Sequence, residues 1–119
     1  MLEWRVLVCG SREYKRERFL WTLLDYFAPT VVITGGANGA DNFAEAWAML
    51  HSCPCLIYKA DWSIGKSAGP IRNQQMIDEG KPNMGIAFPL GSSPGTRDMV
   101  ARLHEHKIRT VVVEEFYES

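Results

Sequence analysis

Short apolar runs rich in β-branched residues alternate along this chain with amphipathic segments, and this alternation is the strongest constraint on the fold. Within the first amphipathic segment, Leu20, Leu24 and Phe27 recur at the spacing of one helical face. The pattern predicts strands at residues 4–9, 30–34, 55–58, 84–88 and 110–113. It predicts helices at residues 16–27, 41–50, 70–79 and 96–106, with a polar loop from residue 59 to about residue 68.

Strands that alternate with helices form βαβ units, in which a parallel sheet carries helices on both faces. Uninterrupted apolar strands such as residues 31–33 suit a sheet that is covered on both sides. A chain of 119 residues is long enough for one domain with a proper core. We therefore predict a single three-layer, Rossmann-like α/β domain over residues 1–119, with a parallel sheet of about five strands.

The charge balance and the cysteines limit the partners and the compartment. With 13 basic and 14 acidic side chains the formal net charge is −1, whereas nucleic-acid-coating proteins are usually basic, which disfavours a nucleic-acid partner. An odd number of cysteines and an N-terminus unlike a signal peptide favour a reducing cytoplasm.

No apolar run approaches the ~20 residues that span a bilayer, so we expect no membrane association. Cys53 and Cys55 lack the spacing of a zinc site, and we expect neither a metal nor a cofactor.

Three predicted strands end in turns that contain glycine. Ligands of open parallel sheets bind beyond these strand ends. Glycine lets the backbone approach a ligand, and the following helix offers unpaired N–H groups and the positive end of its dipole, which suits a phosphate. A purely structural role is favoured for the glycines of any single turn, but three such turns at one edge favour ligand binding. The residues expected at this site are Gly10, Ser11, Arg12, Gly35, Gly36, Ala37, Gly39, Asp41, Gly91, Gly95 and Thr96.

The turn after the second strand matches neither of two familiar phosphate motifs. No Lys-Ser or Lys-Thr follows Gly39, so the turn is not a Walker P-loop. It is not a GxGxxG motif either, which removes the main support for NAD-dependent dehydrogenation. Asp41 stands where it either caps the second helix or accepts a hydrogen bond from a ribose hydroxyl.

Residues 60–76 contain the least ordinary composition in the chain. Arg72 falls in the first turn of the predicted third helix, where a cation opposes the helix dipole. We expect an anion to compensate it, either a ligand or an internal carboxylate such as Asp61. Lys66 and Asn73 are expected to contact the ligand, Lys66 as a flexible anion contact. Trp62 either stacks on a base or, as is more common for tryptophan, belongs to the core or to a lid.

Four glycine-containing motifs follow one another along almost the whole chain. They are Gly10-Ser11-Arg12, then Gly35-Gly36-Ala37-x-Gly39-Ala40-Asp41, then Gly65-Lys66-x-Ala68-Gly69-Pro70-x-Arg72-Asn73-x-x-Met76, and finally Gly95-Thr96-x-Asp98-Met99. In this order they resemble the YspA-type members of the SLOG superfamily, which is named for the Smf/DprA and Lonely-guy proteins. The resemblance implies a Rossmann-like fold that binds a nucleotide or nucleotide-derived small molecule, in one interpretation as a sensor. Because the superfamily commonly forms homo-oligomers, it also implies a homo-oligomer.

The same superfamily supplies two alternative functions. Lonely-guy enzymes hydrolyse the N-glycosidic bond of nucleoside monophosphates, and the resemblance to them implies Arg72 and Asp98 as catalytic residues, with Asp41 as the alternative to Asp98. Their loop pattern is Gly-Gly-x-Gly-Thr-x-x-Glu, whereas here Met99 takes the glutamate position and Asp98 lies one residue earlier, about 100° around the helix. The motif at residues 35–41 resembles DprA proteins, which leaves a DNA-binding module as the second alternative.

Overall fold

The computed structural model describes residues 3–114, so residues 1–2 and 115–119 of the predicted domain lie outside the described part. Strands β1 to β5 span Arg5–Gly10, Val31–Thr34, Cys55–Ile57, Met84–Phe88 and Arg109–Val112. Helices α1 to α4 span Glu17–Phe27, Ala40–Leu50, Ala68–Asp78 and Pro94–Glu105, and a short 3₁₀ helix spans Trp62–Ile64. Within residues 3–114, no helix is both long enough and apolar enough to cross a membrane.

All neighbouring strands of the sheet are parallel, in the order β3-β2-β1-β4-β5. The chain adds β2 and β3 on one side of β1 and then crosses to the other side to add β4 and β5. The strand order therefore reverses between β1 and β4, and the carboxyl ends of these two strands flank the switch point at which ligands of such sheets bind. The predicted five-stranded parallel sheet is confirmed.

Helices cover both faces of this sheet, as predicted. Because side chains alternate along a strand, successive residues of β1 enter opposite layers. Val6 and Val8 pack in the layer beneath α1 and α2, whereas Leu7 and Cys9 pack in the layer beneath α3 and α4. The helices contribute Leu20, Leu24, Ala44 and Trp47 to the first layer and Met76, Met99 and Leu103 to the second.

The start of α3 differs from the prediction. The helix begins at Ala68, two residues before Pro70, because the Ala68 N–H donates to the Gly65 carbonyl at 3.2 Å and closes an earlier turn. Pro70 still lies in the first turn, where a helix needs no N–H donor. Arg72 consequently lies in the second turn of α3, not in the first, and the predicted loop before the helix contains the 3₁₀ helix Trp62–Ile64.

Candidate functional site

A cavity of about 930 Å³ opens at the carboxyl ends of the strands. The turn after β1 and the start of α4, which follows β4, both line it, so the cavity lies at the switch point. Its volume is in the range of small-molecule sites in proteins. The sequence-predicted residues that the fold brings together along it are Gly10, Ser11, Arg12, Gly35, Gly36, Ala37, Asp41, Lys66, Arg72, Asn73, Gly95, Thr96 and Asp98.

Two predicted residues, Gly39 and Gly91, are not among the residues that line this cavity. Gly39 packs against the turn after β1, where a Cβ would lie 2.4 Å from the Ser11 carbonyl oxygen. Gly91 has a φ of 59°, and its carbonyl oxygen accepts a hydrogen bond from Arg97 Nη2 at 3.1 Å. Both glycines shape loops whose neighbouring residues reach the cavity.

Arg72 is anchored to the turn after β2. Its Nη1 donates to the carbonyl oxygens of Gly35 at 2.6 Å and Tyr58 at 3.3 Å. Its Nε donates to Oδ1 of the neighbouring Asn73 at 3.1 Å. No hydrogen bond joins Nη2 to another residue in the 3–114 range, so one end of the guanidinium is left to contact a ligand.

The internal carboxylate that acts on the charge of Arg72 is Asp41 and not Asp61, the example that the sequence suggested. Asp61 instead caps the 3₁₀ helix, accepting a hydrogen bond from the Ser63 N–H at 3.2 Å. Burial lowers the pKa of Arg72, the carboxylate of Asp41 raises it, and the guanidinium of Arg12 lowers it. The two arginines therefore repel each other at the cavity, and an anion bound there relieves that repulsion.

Asp41 is buried in the first turn of α2 and holds the turn that precedes the helix. Its Oδ2 accepts hydrogen bonds from the backbone N–H of Gly35 at 3.0 Å and of Ala37 at 3.2 Å. The N-cap of α2 is Gly39, so of the two roles open to Asp41 the cap is excluded, and the contact with a ribose hydroxyl stays a prediction. Burial raises the pKa of Asp41 to about 7, against the backbone hydrogen bonds and the charge of Arg72, which lower it.

Asp98 is committed to internal partners. Its Oδ2 accepts hydrogen bonds from Asn73 Nδ2 at 3.0 Å and from Arg102 Nε at 2.8 Å. Partial burial raises the pKa of Asp98, but the hydrogen bonds from Arg102 and Asn73 outweigh it, so that the net pKa is lowered. A general acid must hold its proton near the operating pH, and Asp98 is tuned in the opposite direction. Met99, at the position of the Lonely-guy glutamate, is buried in the α3–α4 layer.

Helix α4 begins at the edge of the cavity without a side-chain cap. The hydroxyl of the N-cap residue Ser93 donates to Thr96 Oγ1 at 3.0 Å. Pro94 has no N–H, so Gly95 and Thr96 carry the first N–H groups of this helix, and these groups have no acceptor within the helix. Asn73 Nδ2 donates to the Gly95 carbonyl at 3.2 Å and fixes this helix start to α3.

Close packing explains why glycine is needed at two of the turns, but it does not explain the glycine at the start of α4. A Cβ on Gly10 would lie 2.6 Å from Ala40 Cβ, and a Cβ on Gly35 would lie 2.4 Å from Arg72 Nη1. At Gly95 nothing lies within 4 Å of the corresponding position, and the φ angle is outside the left-handed region. The described part of the chain therefore gives no reason for glycine at position 95.

Cations outnumber carboxyl groups around the cavity, and sequence reasoning missed some of the lining residues. Arg12, Lys59, Lys66 and Arg72 face Glu13, Asp41 and Asp98. Lys59 was not predicted, although it follows shortly after β3 and ligands of parallel sheets bind beyond the carboxyl ends of the strands. Trp62, for which two roles were open, lines the cavity and is 52% exposed, so it is not a core residue.

Comparisons with known proteins agree with these motifs. The sequence model of the YspA, cpYpsA-related SLOG family matches residues 4–65. The chain is similar to the Gene 61 protein of Mycobacterium phage D29, with 41% identity over an alignment of 105 positions, and the match covers 78% of this chain and 82% of that protein. No solved structure matches the chain. The sequence-based prediction of a YspA-type protein is confirmed.

Proposed function

Because the chain belongs to the YspA, cpYpsA-related SLOG family, we propose that it binds a phosphate-bearing nucleotide in the cavity at the switch point and acts as a binding or sensor module. Family membership is consistent with either binding or processing of a nucleotide-related ligand. The observation that carries the proposal is the open, uncapped start of α4 at Gly95.

Gly95 is the second residue of α4, where the fold itself has room for a side chain. Glycine is less favourable than alanine in a helix by up to about 1 kcal/mol. A residue that costs stability and meets no internal obstacle is explained by a group outside the chain that approaches its backbone closely. In this proposal that group is the phosphate of the ligand.

The first N–H groups of α4 suit a phosphate at this position. The unpaired N–H groups of Gly95 and Thr96 lie at the positive end of the helix dipole, which favours an anion. The Thr96 hydroxyl accepts from Ser93, so its own proton remains available to a ligand oxygen. The Nη2 group of Arg72, which also lines the cavity, adds a charged donor.

The charge around the cavity also favours an anionic ligand. Of the carboxyl groups that line it, Asp98 is paired with Arg102, and the pKa of Asp41 is raised to about 7. The cationic side chains therefore dominate near neutral pH, and Arg12 and Arg72 in particular repel each other. A phosphate offsets this repulsion, which contributes to its affinity.

One observation favours a second candidate function, hydrolysis of the N-glycosidic bond of a nucleotide. Asp41 lines the cavity with a pKa of about 7, which is the tuning that a general acid needs at neutral pH. In this candidate Asp41, rather than Asp98, donates the proton to the leaving base. Chromatographic detection of free base, released by the wild type and lost in Asp41→Asn, supports this candidate; release equal to a protein-free blank removes it.

Thermal unfolding against a panel of nucleotides tests the binding proposal. The panel contains the four ribonucleoside 5′-monophosphates, cyclic AMP, NAD and ADP-ribose. A ligand at about 100 times its dissociation constant stabilises a fold by about 2.7 kcal/mol, which raises the melting temperature by several degrees. We expect Arg72→Ala to remove the rise and Arg18→Ala, at an exposed arginine of α1 that does not line the cavity, to keep it. No rise with any member up to millimolar concentration contradicts the proposal.

A further inference from the structure

We propose that Trp62 and Arg12 form a clamp that holds the base of the ligand between an indole ring and a guanidinium group, and that the ligand is a purine nucleotide. This inference rests on the proposed function, because it names the second subsite of the same cavity. Both residues line that cavity, on the side formed by the 3₁₀ helix and the turn after β1.

Trp62 packs against α3 but is not buried. Its ring edge rests on the first turn of α3, where Cη2 lies 3.2 Å from the position that a Cβ on Gly69 would take. The 3₁₀ helix that carries it is capped by Asp61 at its start and ends at Gly65, whose φ is 101°. Because Trp62 is 52% exposed and lines the cavity, it offers an aromatic face to a ligand.

Arg12 stands over this aromatic face. Its Cζ atom lies 5.6 Å from the centroid of the Trp62 ring. No hydrogen bond or ion pair joins its side chain to another residue of the described part, residues 3–114. A guanidinium that is exposed and uncommitted is free to move when a ligand enters, and its planar shape matches that of a base.

The separation between the two groups fits a clamp that opens by a small movement. A planar ring stacked between two others needs roughly 3.5 Å on each side, or about 7 Å in total. The distance of 5.6 Å from Arg12 Cζ to the ring centroid is too short to contain a base, so Arg12 must move outward by at least about 1.5 Å. Every base presents a π face, and the larger purine ring stacks on more of the indole.

Isothermal titration with AMP and with ribose 5-phosphate separates the clamp from the phosphate site. We expect Trp62→Ala to weaken AMP binding by about 5- to 150-fold, the range of single base–aromatic stacking contacts, and to leave ribose 5-phosphate binding unchanged. Trp62→Phe retains most of the AMP affinity. Ile64→Ala is the matched control, because Ile64 is an equally exposed apolar residue of the same 3₁₀ helix that does not line the cavity.

A second variant tests the role of Arg12. Arg12→Lys keeps the positive charge and loses the plane, so it weakens AMP binding while ribose 5-phosphate binds as before. We also expect AMP and GMP to bind more tightly than CMP and UMP.

Four outcomes overturn the clamp. If AMP binds and Trp62→Ala binds it equally well, or if the variant loses AMP and ribose 5-phosphate to the same degree, the clamp is wrong and the phosphate site stands. If the wild type binds ribose 5-phosphate as tightly as AMP, the base contributes nothing and the clamp is likewise wrong. If the wild type binds neither compound nor any other nucleotide, the proposed function fails and the clamp fails with it.

Discussion

The guanidinium of Arg72 occupies the space that a side chain at Gly35 would need. Its Nη1 donates to the Gly35 carbonyl at 2.6 Å, and a Cβ on Gly35 would lie 2.4 Å from the same nitrogen. The glycine after β2 therefore serves the arginine from α3, although 37 residues separate the two in the sequence. This contact fixes the position of a cation that lines the cavity.

Gly35→Ala displaces Arg72 from this position. Because the end of the arginine side chain is flexible, we expect the variant to fold and to bind nucleotide about 10- to 100-fold more weakly, the effect of losing one charged hydrogen bond. Titration of Gly35→Ala, Arg72→Ala and the double variant checks the reason. If Gly35 acts through Arg72, the double variant is no worse than Arg72→Ala alone; additive losses contradict the connection.

The free energy of unfolding depends on pH because the pKa of Asp41 differs between the folded and unfolded states. An unfolded aspartate has a pKa near 3.9, whereas burial raises the pKa of Asp41 to about 7. Between these values the folded state binds more protons than the unfolded state, so the stabilising contribution is present below about pH 4 and lost as the pH rises through about 7. We expect the free energy of unfolding of the wild type, relative to Asp41→Asn, to fall by at most about 1.4 kcal/mol per pH unit in this window.

Urea unfolding at several pH values measures this difference. Above about pH 8 Asp41 is ionised in both states, so the difference between the free energies of unfolding of the wild type and Asp41→Asn should become constant. Curves that stay parallel from pH 5 to pH 8 mean that the carboxyl of Asp41 is already ionised at pH 5, and then it is not suited to act as a general acid either.

Asp98 is expected to support the helix pair and not the chemistry. Asp98→Asn removes the partly exposed ion pair with Arg102, so the free energy of unfolding falls by up to about 1 kcal/mol. Nucleotide affinity is not reduced, because the variant removes a negative charge from the cavity lining. Loss of a base-releasing activity in Asp98→Asn, with binding intact, contradicts this account and restores the Lonely-guy assignment.

The sheet and its layers were predictable because the apolar pattern is local and unambiguous. Strand β4 was predicted with the bounds that the structure has, β2 and β3 differ by one residue at one end, and β1 and β5 are shifted by one residue at both ends. The start of α3 was not predictable in the same way, since Pro70 is compatible with the first or the third helical position. Its actual start depends on the hydrogen bond from the Ala68 N–H to Gly65, which no sequence spacing indicates.

The edge of the sheet that holds the site was predictable, but its internal contacts were not. Glycine turns after parallel strands indicated the cavity, and the fold brings most of them to it. The structure excludes the cap, which was one of two roles open to Asp41, and gives Asp61 another partner than Arg72, because both of these ideas came from proximity in the sequence. The actual contacts join α2 and α3 to the turn after β2, and only the tertiary fold determines such distances.

Gly95→Ala tests the central claim, that a ligand phosphate lies against the start of α4. The added methyl group meets nothing within 4 Å, and alanine is favourable in a helix, so the melting temperature without ligand stays equal or rises. We predict that nucleotide affinity, measured by isothermal titration, nevertheless falls at least about tenfold, because the methyl group takes the space of the phosphate and about 1.4 kcal/mol corresponds to tenfold. An affinity equal to that of the wild type contradicts the claim, because it means that no part of the ligand approaches Gly95.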